Sequence, residues 1–186
     1  MSSRSDGSLL VRDLCFLDVE TTGSVFGYHE IIDIAAVRTV PDASIVRGTW
    51  QRRIRPRHPK RASSEACELN GYAPERWTNA EESTLSLWTE FVAFVEDCVP
   101  VCHNPSFDRA FITLAATEHD VRELGLDYHW IGTESLAWPL YRQGVLPSLS
   151  LESLCTFFEV GVEPRPHTAL DGALACWRVY QVLMRH

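Results

Sequence analysis

The chain has no uninterrupted apolar run long enough to cross a membrane, and its polar start, Met1-Ser2-Ser3-Arg4-Ser5-Asp6-Gly7, lacks the apolar segment of a secretion signal. That pattern predicts a soluble, cytoplasmic protein with no membrane partner. The six cysteines, at positions 15, 67, 98, 102, 155 and 176, form no C-x-x-C pair and sit mostly among apolar neighbours. They read as small buried residues in a reducing compartment, not as a disulfide frame or a zinc site. Positive charge is also short: the net charge is −8, so the chain as a whole is no general polyanion binder, and any such contact must be local and metal-assisted. No repeat, low-complexity tract or interdomain linker is visible. A length of 186 residues suits one domain with a substantial core, which predicts a single domain over 1–186 with residues 1–10 a flexible segment.

What the chain does have is centred on Phe16-Leu17-Asp18-Val19-Glu20-Thr21-Thr22-Gly23. Leu14 to Val19 is a short apolar run rich in strand-forming residues, interrupted by Asp18 and Glu20. Strand side chains alternate with period two, so these acids leave the same face and repel one another. A buried pair of carboxylates is costly unless a cation lies between them, and Mg2+ or Mn2+ suits such hard oxygen ligands. The plainer alternative is a frayed strand end with both acids in water, because D-x-E alone is common.

Further along, Glu30 to Val40 and Ile45 to Ile54 read as strands separated by the turn Pro41-Asp42-Ala43-Ser44, completing an antiparallel meander. Arg52 to Lys60-Arg61 gathers six cationic side chains in a proline-broken stretch, either a solvated loop with counterions or an edge that touches phosphates. Ser64 to Leu69 suits a short helix, and apolar residues from Leu85 to Val95 recur at helical spacing in a helix expected over 79–97. Val99 to Asn104 predicts a short strand leading into a helix from Pro105 or Ser106 to His119, with Asp108 in its first turn. A strand near 128–131 and helices over 133–142, 150–158 and 168–184 complete the reading.

Three separated patches stand out: Asp18/Glu20, His103-Asn104 with Asp108, and His167 with Asp171. Asp18-Val-Glu-Thr-Thr-Gly, His103-Asn-Pro-Ser-Phe-Asp108 and Pro166-His167-Thr-Ala-Leu-Asp171, in that order, resemble the three motifs of the DEDDh family of 3'–5' exonucleases. The resemblance covers nearly the whole chain. It implies an α/β fold of RNase H-like type, a mixed five-stranded sheet flanked by helices, and a nuclease that works with two Mg2+ or Mn2+.

Carried over by that resemblance, Asp18 would bridge both ions, Glu20 would hold the ion on the nucleophile's side, and Asp108 would serve the other. His167 would be the general base, a role suited to a group titrating near neutrality. Asp171 is expected as the last metal ligand, although members of the family usually carry that acid one residue later, where this chain has Gly172. His103 and Asn104 would orient Asp108, while Thr21, Thr22, Asn70, Tyr72 and Trp77 would hold and shape the pocket for the 3'-terminal nucleotide, the aromatics by stacking or simply by packing. The expected substrate is a single-stranded DNA or RNA 3' end, released as nucleoside 5'-monophosphates. The oligomeric partner stays open between none, a second copy and a polymerase. Two alternatives also stay open: a catalytically weakened or inactive module that binds nucleic acid or protein, motivated by Gly172, and a phosphoesterase for small nucleotides.

Overall fold

The computed structural model describes residues 11–185, so the expected flexible segment 1–10 lies outside the described residues. Three strands, β1 (Leu14–Thr21), β2 (Ile31–Thr39) and β3 (Val46–Arg53), form an antiparallel meander. Helices α1 (Ser64–Asn70) and α2 (Leu85–Val95) follow, then β4 (Val99–Cys102) and α3 (Pro105–Thr117). The chain ends with β5 (Ile131–Gly132), α4 (Thr133–Arg142), α5 (Leu151–Phe157) and α6 (Ala169–Leu183). The sheet order is β3-β2-β1-β4-β5, with β4 and β5 running parallel to β1. This is the expected mixed five-stranded sheet between helices.

Two faces of β1 build two cores. Cys15, Leu17 and Val19 point to one side and pack with Leu87, Trp88, Phe91 and Val95 of α2 and Phe111, Ile112 and Ala116 of α3. Leu14 and Phe16 point to the other and meet Ala173, Cys176 and Tyr180 of α6, with the Phe16 and Tyr180 rings edge to face at 5.4 Å. Removing apolar surface from water on both faces is the main stabilising term, at about 25 cal/mol per Å2. Period-two alternation then puts Asp18 and Glu20 on the α6 face.

Some boundaries differ from expectation for visible reasons. Helix α2 starts at Leu85 because the Thr84 hydroxyl accepts from Leu87 N (3.3 Å), while the residues before it stay extended, with Glu81 N donating to Arg53 O (2.9 Å) and Arg55 N to Glu81 O (2.8 Å). The strand expected at 128–131 shrinks to Ile131–Gly132 because Asp127 accepts from His129 N (2.9 Å) and turns the chain. Three of the six cations in the basic stretch are held by carboxylates: Arg52 pairs with Glu81 and Glu90, Arg55 with Glu82, and Arg57 with Glu30 and Glu118, while Arg53 and Arg61 lie over the Trp77 and Tyr28 rings. The three paired cations therefore follow the counterion alternative. Among the described residues all six cysteines are free, and no helix is long and apolar enough to cross a membrane.

Candidate active site

The site begins with how closely α6 approaches β1. Ala169, Gly172, Ala173, Ala175 and Cys176 are small and buried, which lets the first turns of α6 lie against the sheet. A Cβ added at Gly172 would stand 2.6 Å from Asp18 Oδ2 and 2.7 Å from its Cγ. The absent side chain at position 172 is thus what gives Asp18 its room.

The start of α6 is anchored by an acid that sequence reasoning passed over. Asp33, 2% exposed and paired in register with Glu20, accepts from Ala169 N (3.1 Å), and its two carboxylate oxygens both accept from Gln51 Nε2 (3.1 and 2.8 Å). A carboxylate at a helix N-terminus satisfies an otherwise unpaired amide and favours the helix dipole. The only available signal was an acid inside the apolar strand Ile31-Ile32-Asp33-Ile34. Just before the helix, His167 N donates to Leu69 O (3.0 Å), which fastens the histidine segment to α1.

Asp108 arrives from the other side. Asn104 occupies the cap position of α3 and Pro105 its first turn, so Asp108 sits one turn in and is 4% exposed. Its Oδ1 accepts from Val19 N (3.1 Å), an amide of β1 beyond the last residue paired with β4. His103 Nδ1 lies 2.9 Å from Thr133 Oγ1, tying the end of β4 to the start of α4.

These approaches meet in a cleft of about 410 Å3, whose walls include Asp18, Glu20, Thr21, Asn70, His103, Asn104, Asp108 and His167. Its electrostatics are those of crowded acids. Burial, then the negative charges of Asp108, Glu20, Glu163 and Asp33, push the Asp18 carboxyl well above its ordinary range. Glu20 is raised to about 7, chiefly by burial, against a hydrogen bond from Asn70 that pulls it down. Asp108 is likewise raised to about 7 by burial, opposed by the Val19 amide. His167 moves the other way, lowered by burial and by Arg165, so its ring is neutral at neutral pH.

Hard oxygen donors that oppose one another's ionisation fit a divalent cation, which would relieve both repulsion and desolvation. The fit lies in the donor chemistry and not in a finished cage. Among the described residues no three acidic, histidine or cysteine side chains are already clustered at ligand spacing.

Four expected residues have other work. Asp171 Oδ2 accepts from the Thr168 hydroxyl (2.6 Å) while Thr168 Oγ1 accepts from Asp171 N (3.2 Å), a reciprocal cap at the start of α6. Asp171 is absent from the cleft wall for that reason. Thr22 is 1% exposed, with its hydroxyl accepting from Glu30 N (3.0 Å). Tyr72 and Trp77 pack edge to face at 5.2 Å in a buried cluster with Ile32 and Ala80, and Trp77 Nε1 donates to Ile32 O (3.0 Å). Neither ring is part of the cleft wall. In their place the wall contains Leu69 and Phe107, and also Glu163, an acid from the loop between α5 and α6.

A family model for RNase T, described as an exonuclease, matches residues 15–180. The chain belongs to this exonuclease family. It is of the DEDDh type, its third motif departing from the family at Gly172, and its sheet and helices have the RNase H-like arrangement of that group. It is 33% identical over 178 residues to the DNA polymerase III PolC-type of Thermotoga petrophila, covering 94% of this chain and 12% of that protein. It is 34% identical over 167 residues to the corresponding Thermotoga maritima protein, covering 88% of this chain and 11% of that one. The chain therefore spans only about an eighth or less of these relatives' length. Among solved structures, E. coli Exonuclease I in complex with a dT13 oligonucleotide superposes with a TM-score of 0.78 at 16% identity, covering 92% of this chain and 41% of that one. The nuclease domain of 3'hExo, a DEDDh family member bound to rAMP, superposes with a TM-score of 0.71 at 16% identity, covering 94% and 92%. At such identities the superpositions speak for the exonuclease-family fold.

Proposed function

We propose that this exonuclease-family chain is a metal-dependent 3'–5' exonuclease that cleaves the last phosphodiester of single-stranded DNA or RNA and releases a nucleoside 5'-monophosphate. One observation carries the reading: Asp18, Glu20, Asp108 and His167, brought from three distant parts of the chain, share one cleft wall. Asp18, Glu20 and Asp108 would hold the cofactor, two Mg2+ or Mn2+. Bound there, such ions would supply positive charge to the scissile phosphate and make a nearby water more acidic.

The chain's own groups do the rest. His167, neutral because burial and Arg165 disfavour its charged form, is free to take a proton from the attacking water. Its Nδ1 is the nitrogen turned towards Glu163, at 3.8 Å. Asn70 Nδ2 donates to Thr21 O (3.0 Å), fixing the end of β1 as a wall for the terminal nucleotide. Leu69 and Phe107 add apolar surface for a sugar or base, and a volume of about 410 Å3 is in the range of small-ligand pockets. His103 and Asn104 hold the junction that delivers Asp108.

The whole chain, 1–186, acts as one exonuclease domain on a nucleic-acid 3' end in the cytoplasm. The PolC-type relatives support a polymerase as its working partner; they give no support to a homodimer. Purified Asp18→Ala and His167→Ala variants with native circular dichroism should lose mononucleotide release. Digestion by either variant at the wild-type rate would refute the assigned role of that residue.

A second reading is favoured by one observation, the commitment of Asp171 to the α6 cap beside Gly172. A cleft one acid short would bind a 3'-ended oligonucleotide and release nothing. Binding with no mononucleotide in either metal selects that reading.

A further inference from the structure

The cleft contains an acid that no motif accounts for. Glu163 lies in the loop between α5 and α6, four residues before His167, and its side chain is 10% exposed, nine-tenths buried. It lines the same wall as Asp18, Glu20 and Asp108. Its negative charge is among those that raise both Asp18 and Glu20, and burial raises its own carboxyl. No hydrogen bond reaches this carboxylate among the described residues, and the neutral His167 ring lies with Nδ1 at 3.8 Å, beyond hydrogen-bond distance. A carboxylate on the cleft wall with no protein donor leaves its oxygens free for a ligand in that cleft.

The charge count says which ligand. Two divalent cations carry four positive charges, and Asp18, Glu20 and Asp108 supply three negative ones. Helix α6 offers no fourth, because Asp171 is held by Thr168 and position 172 is glycine.

We propose that Glu163 supplies the fourth carboxylate, completing from the preceding loop the metal site that α6 leaves one acid short. This inference rests on the proposed two-metal function. It removes the premise of the inactive alternative, since the missing acid is replaced from another element.

The test is calorimetric titration of the metal-free protein with Mn2+, at fixed pH, on four proteins: wild type, Glu163→Gln, Glu163→Gln in a His167→Ala background, and Glu152→Gln. Glu163→Gln keeps shape and removes charge. Glu152, 65% exposed, lies close enough to act on Glu163 through its charge and controls for loss of negative field alone. Wild type should bind two Mn2+. Glu163→Gln should lose one equivalent or weaken it at least tenfold, equally in the His167→Ala background, while Glu152→Gln binds as wild type. Unchanged Mn2+ binding by Glu163→Gln would overturn the proposal, as would an effect that vanishes without His167 or is matched by Glu152→Gln. If mononucleotide release depends on Asp18 while Glu163→Gln binds normally, only the Glu163 assignment fails. If wild type neither binds Mn2+ nor digests oligonucleotides, the two-metal function fails with it.

Discussion

Replacing Gly172 by alanine tests the packing of α6 on β1 with the smallest possible change. The new Cβ would stand 2.6 Å from Asp18 Oδ2, whereas ordinary contact begins near 3.4 Å, so the carboxylate must retreat by about 0.8 Å. Misplacing a reacting group by roughly 1 Å costs on the order of a hundredfold in rate, which is the expected loss of turnover for Gly172→Ala. Stability should change much less. Overpacking costs about 1–3 kcal/mol, while alanine gains about 1 kcal/mol over glycine inside a helix, and the Asp18 carboxylate can swing. The assay is mononucleotide release from a 5'-labelled oligonucleotide with Mn2+, alongside the thermal midpoint. Gly48→Ala is the control, because a Cβ there meets nothing closer than 3.7 Å. A folded Gly172→Ala enzyme with wild-type turnover would refute the claim that Asp18 is held in a working position by this contact.

Other outcomes follow from the same geometry. Glu20 and Asp108 are raised to about 7, so folding favours their protonated forms; this contribution is full below the unfolded values near 4 and is lost as pH rises through about 7. The thermal midpoint of metal-free protein should therefore fall between pH 5 and pH 8, and saturating Mn2+ should raise it more at pH 8; a metal effect independent of pH would contradict the carboxylate assignment. Asp33→Ala strips the acceptor from Ala169 N and Gln51, and should cost about 1–3 kcal/mol in chemical denaturation with a fall in turnover as α6 loses its anchor. Unaltered stability would show that the α6 start is held elsewhere. Trp77→Phe removes the bond to Ile32 O and should lower stability by about 1–3 kcal/mol while leaving KM for a 3'-ended oligonucleotide unchanged. A raised KM with native stability would return Trp77 to the pocket.

Much of this was legible in the chain, and the reasons are local. The β1–β3 meander is written in β-branched residues and a Pro-Asp turn, and its strands lie within the expected ranges apart from the longer β1. The α/β order was likewise readable; strand periodicity puts Asp18 and Glu20 on one face, and it is the family resemblance of the three motifs that implied their meeting with Asp108 and His167. Tyr72 and Trp77 were less so, since an aromatic beside a predicted pocket looks the same in sequence whether it faces the ligand or the core. Asp171 illustrates a second limit: at the third position of a helix one acid serves equally as capping partner or ligand, and only the Thr168 hydroxyl decides between them. Glu163 lies in a proline-broken loop without periodicity, so nothing in its neighbours announces that the backbone carries it back over β1.

The most direct test of the central claim is a time course on matched 5'-labelled single-stranded DNA and RNA, with and without Mn2+, using wild type beside Asp18→Ala. Stepwise shortening from the 3' end, dependent on Mn2+ and abolished in Asp18→Ala, is the predicted result. Intact oligonucleotide in Mn2+, or shortening that survives loss of Asp18, would contradict it.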